Sequence, residues 1–535
     1  MTTIRHFLLK PWLYIVIVLF GTFLKFYQLN SKLFWVDEIS TVLYTSGING
    51  DSIQENIPVN QIKSFSYYDS LLHLRTQPYS LKNEVTGILS DTHLTPAHYV
   101  FLTLWYRLAG DNDMDYRLFS VFIFILSLPF IFLLAKTLFN TYLAGWIATT
   151  LFAVSPFIHF EAQEARYYIL WVFFFVLSNY LFLHAIKQKK VIWWIGYLVA
   201  AILALYTSLT SCAFIFGHLV YILLLKKELR IQFIISLLFI VLAYLPWMYF
   251  LYTVRETIES GLSWHKGFYS SFFSFDLLFF QLLGFARSFA FLFDITLYWM
   301  WSNGTPTLGI YSALLIDLVF LAFIIYSIFY LFTKSSQEIR WFLILIILPL
   351  FLLFYISDVI RNGFTSLLWR YQIVNMVGIS LIVTNLLKDK IATGKWLYIG
   401  IYFGLVFLGT ASILKIAANR CWNTSPDCEY RIEEAQLISH AAYPLIITDF
   451  SGLGFDRTLS VLNDSKATKA DIMYCKGTIP NLKEKIAGKA YSEIYLLAVS
   501  DTLVHQIKSQ FGKSVLPYRK ETSMMSPQIW QIKLR

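Results

Sequence analysis

Long apolar runs separated by short basic clusters govern what this chain can become. The runs lie near residues 12–29, 118–135, 142–158, 167–186, 191–209, 212–225, 231–252, 309–332, 341–357, 367–387 and 396–416. Each approaches the roughly 17–25 residues with which a helix crosses a hydrocarbon core about 30 Å thick. No water inside that core satisfies backbone N–H and C=O groups, so such segments close their hydrogen bonds internally as helices. With 57% hydrophobic and 14% charged residues, the chain is too apolar for a water-soluble surface. The expected class is a polytopic α-helical membrane protein. Its net charge of +10 forms no continuous basic face, so anchoring against anionic lipid is the reading and nucleic acid is not an expected partner.

Lys and Arg residues collect in alternate connections: Arg5 and Lys10, Lys136, Lys187 to Lys190, Lys226 to Arg230, Lys334 with Arg340, and Lys388 to Lys395. Basic connections stay on the cytoplasmic side, which predicts a cytoplasmic N-terminus and an inner (plasma) membrane location. The first run resembles a signal peptide but is long and lacks a small-residue cleavage site, so it is kept as a helix. The stretch from Phe275 to Trp301 is apolar yet carries Gln281, Arg287 and Asp294. One further span there puts the C-terminus in the cytoplasm, and two short or re-entrant helices keep the charge pattern. About eleven to thirteen spans are expected.

Two parts read as lying outside the membrane: an outer loop from about Ser40 to Tyr116, and the tail after Ile416. The division expected is 1–416, containing loop 40–116, followed by 417–535. In the tail, PLIITDF, ADIMYC, EIYLLAVS and QIWQIKL read as short strands, with helices around 432–440 and 501–511, giving a small extracytoplasmic α/β domain. Cys421 and Cys428 are placed where an oxidising compartment permits a disulfide, paired or not, while Cys475 is left over and Cys212 falls inside a helix. In the loop, Thr95 suits an N-cap and Pro96 a first helical position, predicting a helix over 96–108 along the membrane surface. That helix holds Asp91 and His93 at its entrance.

Asp37 and Glu38, in FWVDE, follow the first apolar run directly. Carboxylates on the rim of an apolar helix cost free energy and point to a site on that side of the membrane; the plain alternative is a pair of interfacial charges at a helix end. FWVDE, DTHLTPAHY, DYRLFS and SPFIHFEAQEARYYIL occur in this order. The set resembles C-type membrane glycosyltransferases, and within them bacterial relatives of the protein O-mannosyltransferases and of the lipid A aminoarabinose transferase. The resemblance covers roughly residues 10–210, with weaker support from WRYQIV and from the tail. Thr95-Pro96 stands where the family pattern has a Pro-Pro pair.

The resemblance implies transfer of a sugar from a polyprenyl-phosphate donor to an acceptor lipid, glycan or protein on the outer face, with Asp37 as base and Glu38 beside it. Residue chemistry agrees, because a phosphate is already a good leaving group and one carboxylate suffices to take the proton of the attacking hydroxyl. Arg117 and Arg166 begin spans from the outer side, where a guanidinium grips phosphate through two hydrogen bonds. Arg370 and Tyr371 are candidates for the same role, with Asp91 and His93 nearer the substrate. The alternative for the arginines is snorkelling anchorage. Glu161 and Glu164 orient the sugar, pair with Arg166 or hold a divalent metal ion through oxygen ligands; His93 and His159 are further donors for such an ion, or, like His98, ordinary interfacial histidines. No organic cofactor is expected. Two other function classes fit a polytopic chain: a lipid or sugar transporter or flippase, and an outer-face polysaccharide polymerase or ligase.

Overall fold

The computed structural model describes residues 10–48, 57–76, 96–261, 275–291, 308–421, 428–449, 454–477, 481–519 and 529–533, with isolated positions between them. Two compact units emerge. One comprises 1–29, 92–98 and 117–418; the other comprises 30–91, 99–116 and 419–535. The second unit draws residues from both the outer loop and the tail.

In the first unit, among the described residues, seven helices are long and apolar enough to span a membrane, or eight if one bent pair counts as a span. They include Asp113–Phe139, Tyr168–Gln188, Gly309–Lys334, Gln337–Arg361 and Trp396–Ala418, and shorter apolar helices cover Pro11–Phe26, Val191–Thr207, Leu209–Leu225 and Phe275–Ala286. Their outward faces carry Leu19, Ile234, Leu238, Val319 and Phe329, all exposed. So much apolar surface is stable only in lipid, and the chain is a multi-pass membrane protein. Phe275–Ala286 has 12 residues, about 18 Å of helix and too short to cross; positions 292–307 of that ambiguous stretch lie outside the described residues.

The bent pair is Tyr142–Ala153 and Pro156–Gln163, turned by 61°. Pro156 has no N–H to donate back along the helix, so carbonyls of the preceding turn lose their partners. The chain supplies replacements from elsewhere in the unit. The buried Lys25 amine donates to the Ala153 carbonyl at 3.0 Å, while Ser155 Oγ, in the break itself, serves the distant Ser288 carbonyl at 3.0 Å. Gln163 Nε2 returns the service, donating to the Lys25 and Tyr27 carbonyls at 3.0 Å each, where the first helix ends. Close approach is possible because glycine faces the break on both sides: a Cβ on Gly21 would meet the Ala153 carbonyl oxygen at 2.9 Å, and one on Gly409 the Val154 oxygen at 2.5 Å.

The second unit is a six-stranded mixed sheet in the order β1-β3-β2-β4-β6-β5, with β1 Ile62–Ser64, β2 Pro444–Asp449, β3 Asp471–Cys475, β4 Glu493–Leu496, β5 Val515–Arg519 and β6 Ile529–Ile532. β2 and β3 are buried along their whole length, as expected of central parallel strands covered on both faces. β2 runs parallel to β3 and β4, and the outer pairings are antiparallel. The edge strand β1 comes from the outer loop, with Ile62 opposite Met473. Cys421 and Cys428 are joined by a disulfide, while Cys475 is free and buried.

Two outcomes test this architecture. Lys25→Met removes the donor to the Ala153 carbonyl, and we expect a loss of about 1–3 kcal/mol, read as a lower unfolding midpoint in detergent; an unchanged midpoint would mean that the carbonyl is satisfied otherwise. Peptide mapping under non-reducing conditions is expected to recover Cys421 linked to Cys428, with Cys212 and Cys475 alkylated once the protein is unfolded.

Candidate functional site

Asp37 and Glu38 do not end the first helix, as their position after the apolar run suggests. That helix stops at Phe26, and the two carboxylates open a separate one, Val36–Ser46. Acidic residues in a first turn face the positive end of the helix dipole. Glu38 is fully buried, and its carboxylate accepts a hydrogen bond from the Trp35 backbone N–H at 3.4 Å, the reciprocal arm of a capping box. Asp37 beside it is only half-buried.

Helix Val36–Ser46 is held by the tail. Ser460 Oγ donates to the Phe34 carbonyl at 2.6 Å, and the Leu33 N–H to the Arg420 carbonyl at 3.1 Å. One turn after Asp37, Ser40 Oγ lies 2.6 Å from Asp456 Oδ2. Asp456 belongs to helix Gly454–Ser465, which packs on Val36–Ser46. Burial pushes its carboxyl up to about 6, the hydrogen bond from Ser40 opposes the rise, and the charge of Asp37 adds to it. A second carboxyl beside Asp37 is therefore part of this unit. Nothing in the local pattern GFDRTLSVLNDS marks it, since the two acids are more than 400 residues apart in sequence.

The membrane unit carries the basic candidates. Arg117 is fully buried, and its Nη1 donates to the Leu29 carbonyl at 3.0 Å, so it is not a snorkelling anchor. Arg166 is also buried, with its guanidinium 5.8 Å from the Tyr167 ring. Arg166 and Arg370 both lie within electrostatic reach of the Tyr168 hydroxyl. The Tyr371 ring sits 6.2 Å from that of Tyr168. Arg166, Arg370 and Tyr371, widely separated in sequence, are thus gathered at one place.

Neighbours that sequence reading passed over fix this cluster. Trp369 stacks on Phe157 at 4.5 Å between ring centroids with an interplanar angle of 9°, and tilts against Phe160 at 5.2 Å. This packing pins the turn bearing Arg370 to helix Pro156–Gln163. Asp358 accepts from the Thr365 and Ser366 N–H groups at 3.0 and 2.5 Å, closing the same turn from its other end. The only forewarning was an acid inside an apolar run, which needs partners.

Glu161 and His159 are buried on helix Pro156–Gln163, Glu164 follows it with its carbonyl accepting from Ser120 Oγ, and His98 is buried with its ring 5.7 Å from that of Phe119. Among the described residues no three His, Cys, Asp or Glu side chains gather in a way that would hold a metal ion. Asp91 and His93 lie outside the described residues.

Residues 93–250 match the family model described as Dolichyl-phosphate-mannose-protein mannosyltransferase. No curated protein matches the chain. Solved structures that resemble it include ArnT from Cupriavidus metallidurans bound to undecaprenyl phosphate, 13% identical with a TM-score of 0.41, and the same protein in the apo state, 12% identical with a TM-score of 0.40. Each likeness covers 97% of both chains. Over residues 93–250, from the helix of the outer loop into the membrane helices, the chain is similar in sequence to that mannosyltransferase family.

Proposed function

We propose that this protein transfers a sugar from a polyprenyl-phosphate carrier to a hydroxyl of an acceptor lipid, glycan or protein. The observation that carries the reading is the gathering of Arg166 and Arg370 around Tyr168, with Arg166 and Tyr168 inside the stretch 93–250 that matches the mannosyltransferase model. Guanidinium groups placed around one position can grip a phosphate through charge-assisted hydrogen bonds. The Tyr371 and Tyr168 rings flank the position.

In the proposed step the acceptor oxygen attacks the anomeric carbon, and the bond from that carbon to the phosphate oxygen breaks. The electron pair leaves with the polyprenyl phosphate, whose developing charge the arginines stabilise. The hydroxyl proton passes to the Asp37 carboxylate. Glu38, bound back onto Trp35, holds the first turn that presents Asp37. Glu161 and Glu164 are assigned to sugar orientation or to pairing with Arg166. A metal-holding role for them lacks a third donor among the described residues, and no part of the step runs through a metal ion.

The outer face of the inner membrane is the proposed side of reaction. Alternate basic connections support it, as does the Cys421–Cys428 disulfide, a bond that persists in oxidising compartments.

Asp37→Asn is expected to lower kcat by about 10²- to 10⁴-fold while the protein still folds and binds donor, measured with a purified polyprenyl-phosphate sugar in detergent. Wild-type turnover in that variant would remove Asp37 from the reaction. Arg166→Ala and Arg370→Ala are expected to raise the donor KM by about 10- to 100-fold, with Arg340→Ala near wild type. Equal effects at all three arginines would dissolve the phosphate assignment.

A further inference from the structure

Ser40 has one hydroxyl hydrogen and two acceptor neighbours: the Val36 carbonyl at 3.0 Å and Asp456 Oδ2 at 2.6 Å. A single O–H cannot serve both fully. The arrangement closes in either of two ways. If Asp456 is ionised, Ser40 donates to it; if Asp456 is protonated, Oδ2–H donates to Ser40 Oγ, which is then free to donate to Val36. The other carboxyl oxygen, Oδ1, is buried and accepts no hydrogen bond among the described residues, a costly condition for an ionised oxygen. A buried carboxyl with one unsolvated oxygen and a rotatable hydroxyl at the other changes protonation state easily.

The surroundings identify what senses that change. Ser40 of helix Val36–Ser46 reaches Asp456, Asp37 three residues before it lies on the same helix face, and Glu38 is turned back to Trp35. Tyr474 on β3 is also within electrostatic reach, its hydroxyl donating to the Phe455 carbonyl at 3.2 Å and its ring 5.3 Å from that of Tyr68. Among the other charged groups on the packed elements, Glu434 pairs with Arg457 at 2.9 and 3.1 Å, Asp449 accepts from the Ser500 N–H at 2.8 Å, Asp113 from Asn463 at 2.7 Å, Asp464 pairs with Arg420 and Asp69 with His73, while Glu429, Glu433 and the buried Arg431 lie on helix Cys428–His440. Asp37 is therefore the acid that shares a field with Asp456.

We propose that Asp456 is a positioning residue for the transfer, an anion set behind Asp37 by way of Ser40 that draws the acceptor's proton onto the Asp37 carboxylate. This rests on the reading of Asp37 as base. When Asp37 accepts the proton its charge is cancelled, and the repulsion between the two carboxylates is relieved. That relief is available only while Asp456 is ionised. Because burial places its ionisation near 6, the assistance is present above that pH and fades as the pH falls through it. The proton stays on Asp37 until the products leave, and no other bond changes.

The test compares the pH dependence of kcat in the purified full-length enzyme with polyprenyl-phosphate sugar as donor. Asp456→Asn keeps the shape of the side chain and removes the charge, so we expect kcat above about pH 7 to fall roughly tenfold, and the acidic limb near pH 6 to disappear, with donor KM unchanged. Ser40→Ala withdraws a hydrogen bond that favours the ionised form, so the same limb is expected to move to higher pH. A purely structural role would lower stability without moving either limb. If Asp456→Asn and Ser40→Ala both retain the wild-type pH profile while Asp37→Asn is inactive, Asp456 has no part in the step and the base assignment stands. If Asp37→Asn turns over normally, both fall together. Should Asp456→Asn fail to fold, the direction of the Ser40→Ala shift decides alone.

Discussion

A backbone carbonyl stranded in hydrocarbon is costly enough to dictate what may surround it. This chain strands the Ala153 carbonyl, where helix Tyr142–Ala153 ends and Pro156 opens another at 61°. Much of the membrane unit is arranged around that event. Lys25 comes from the first helix to serve Ala153, Gln163 serves the end of that first helix, and Gly21 and Gly409 have no side chains because the exposed carbonyls occupy the space. The purpose is visible just past the bend. Helix Pro156–Gln163 offers Phe157 and Phe160 to Trp369, and its far end leads straight into Arg166.

The membrane helices were readable because the hydrophobic requirement is local and long. A run such as 341–357 leaves few alternatives to a spanning helix, and the observed helix extends to Gln337–Arg361. The same reasoning found the strand segments of β2, β3, β4 and β6, whose apolar runs are short and bounded by turns. It missed β1 and β5. Ile62–Ser64 has three residues and no pattern of its own, and is a strand only because β3 offers it an open edge. β5 contains Pro517, which argues against a strand except at an edge, and an edge is where it lies.

The candidate site was legible in part for the same reason. FWVDE and EARYY carry distinctive residues in short motifs, and these could be picked out in isolation. Asp456 and Trp369 act through partners supplied by distant segments, Ser40 and Phe157, so spacing alone could not assign their roles. The position of Asp37 shows the limit most clearly. Proximity in sequence suggested the rim of the first helix, whereas the chain turns between Tyr27 and Trp35 and begins a new helix docked on Gly454–Ser465.

The pairing of Ile62 with Met473 also constrains how the protein is made. At ribosomal rates of roughly 5–20 residues per second, the edge strand waits on the order of 20 to 80 seconds before its partner has even been synthesised, while most of the membrane helices are threaded into the bilayer. During that interval the segment that presents Asp37 has no sheet to join and no Gly454–Ser465 helix to rest on. Placement of the candidate base is thus postponed to the last stage of biogenesis, and a ribosome that stalls within the tail leaves behind a membrane-inserted product in which helix Val36–Ser46 has nothing to dock on.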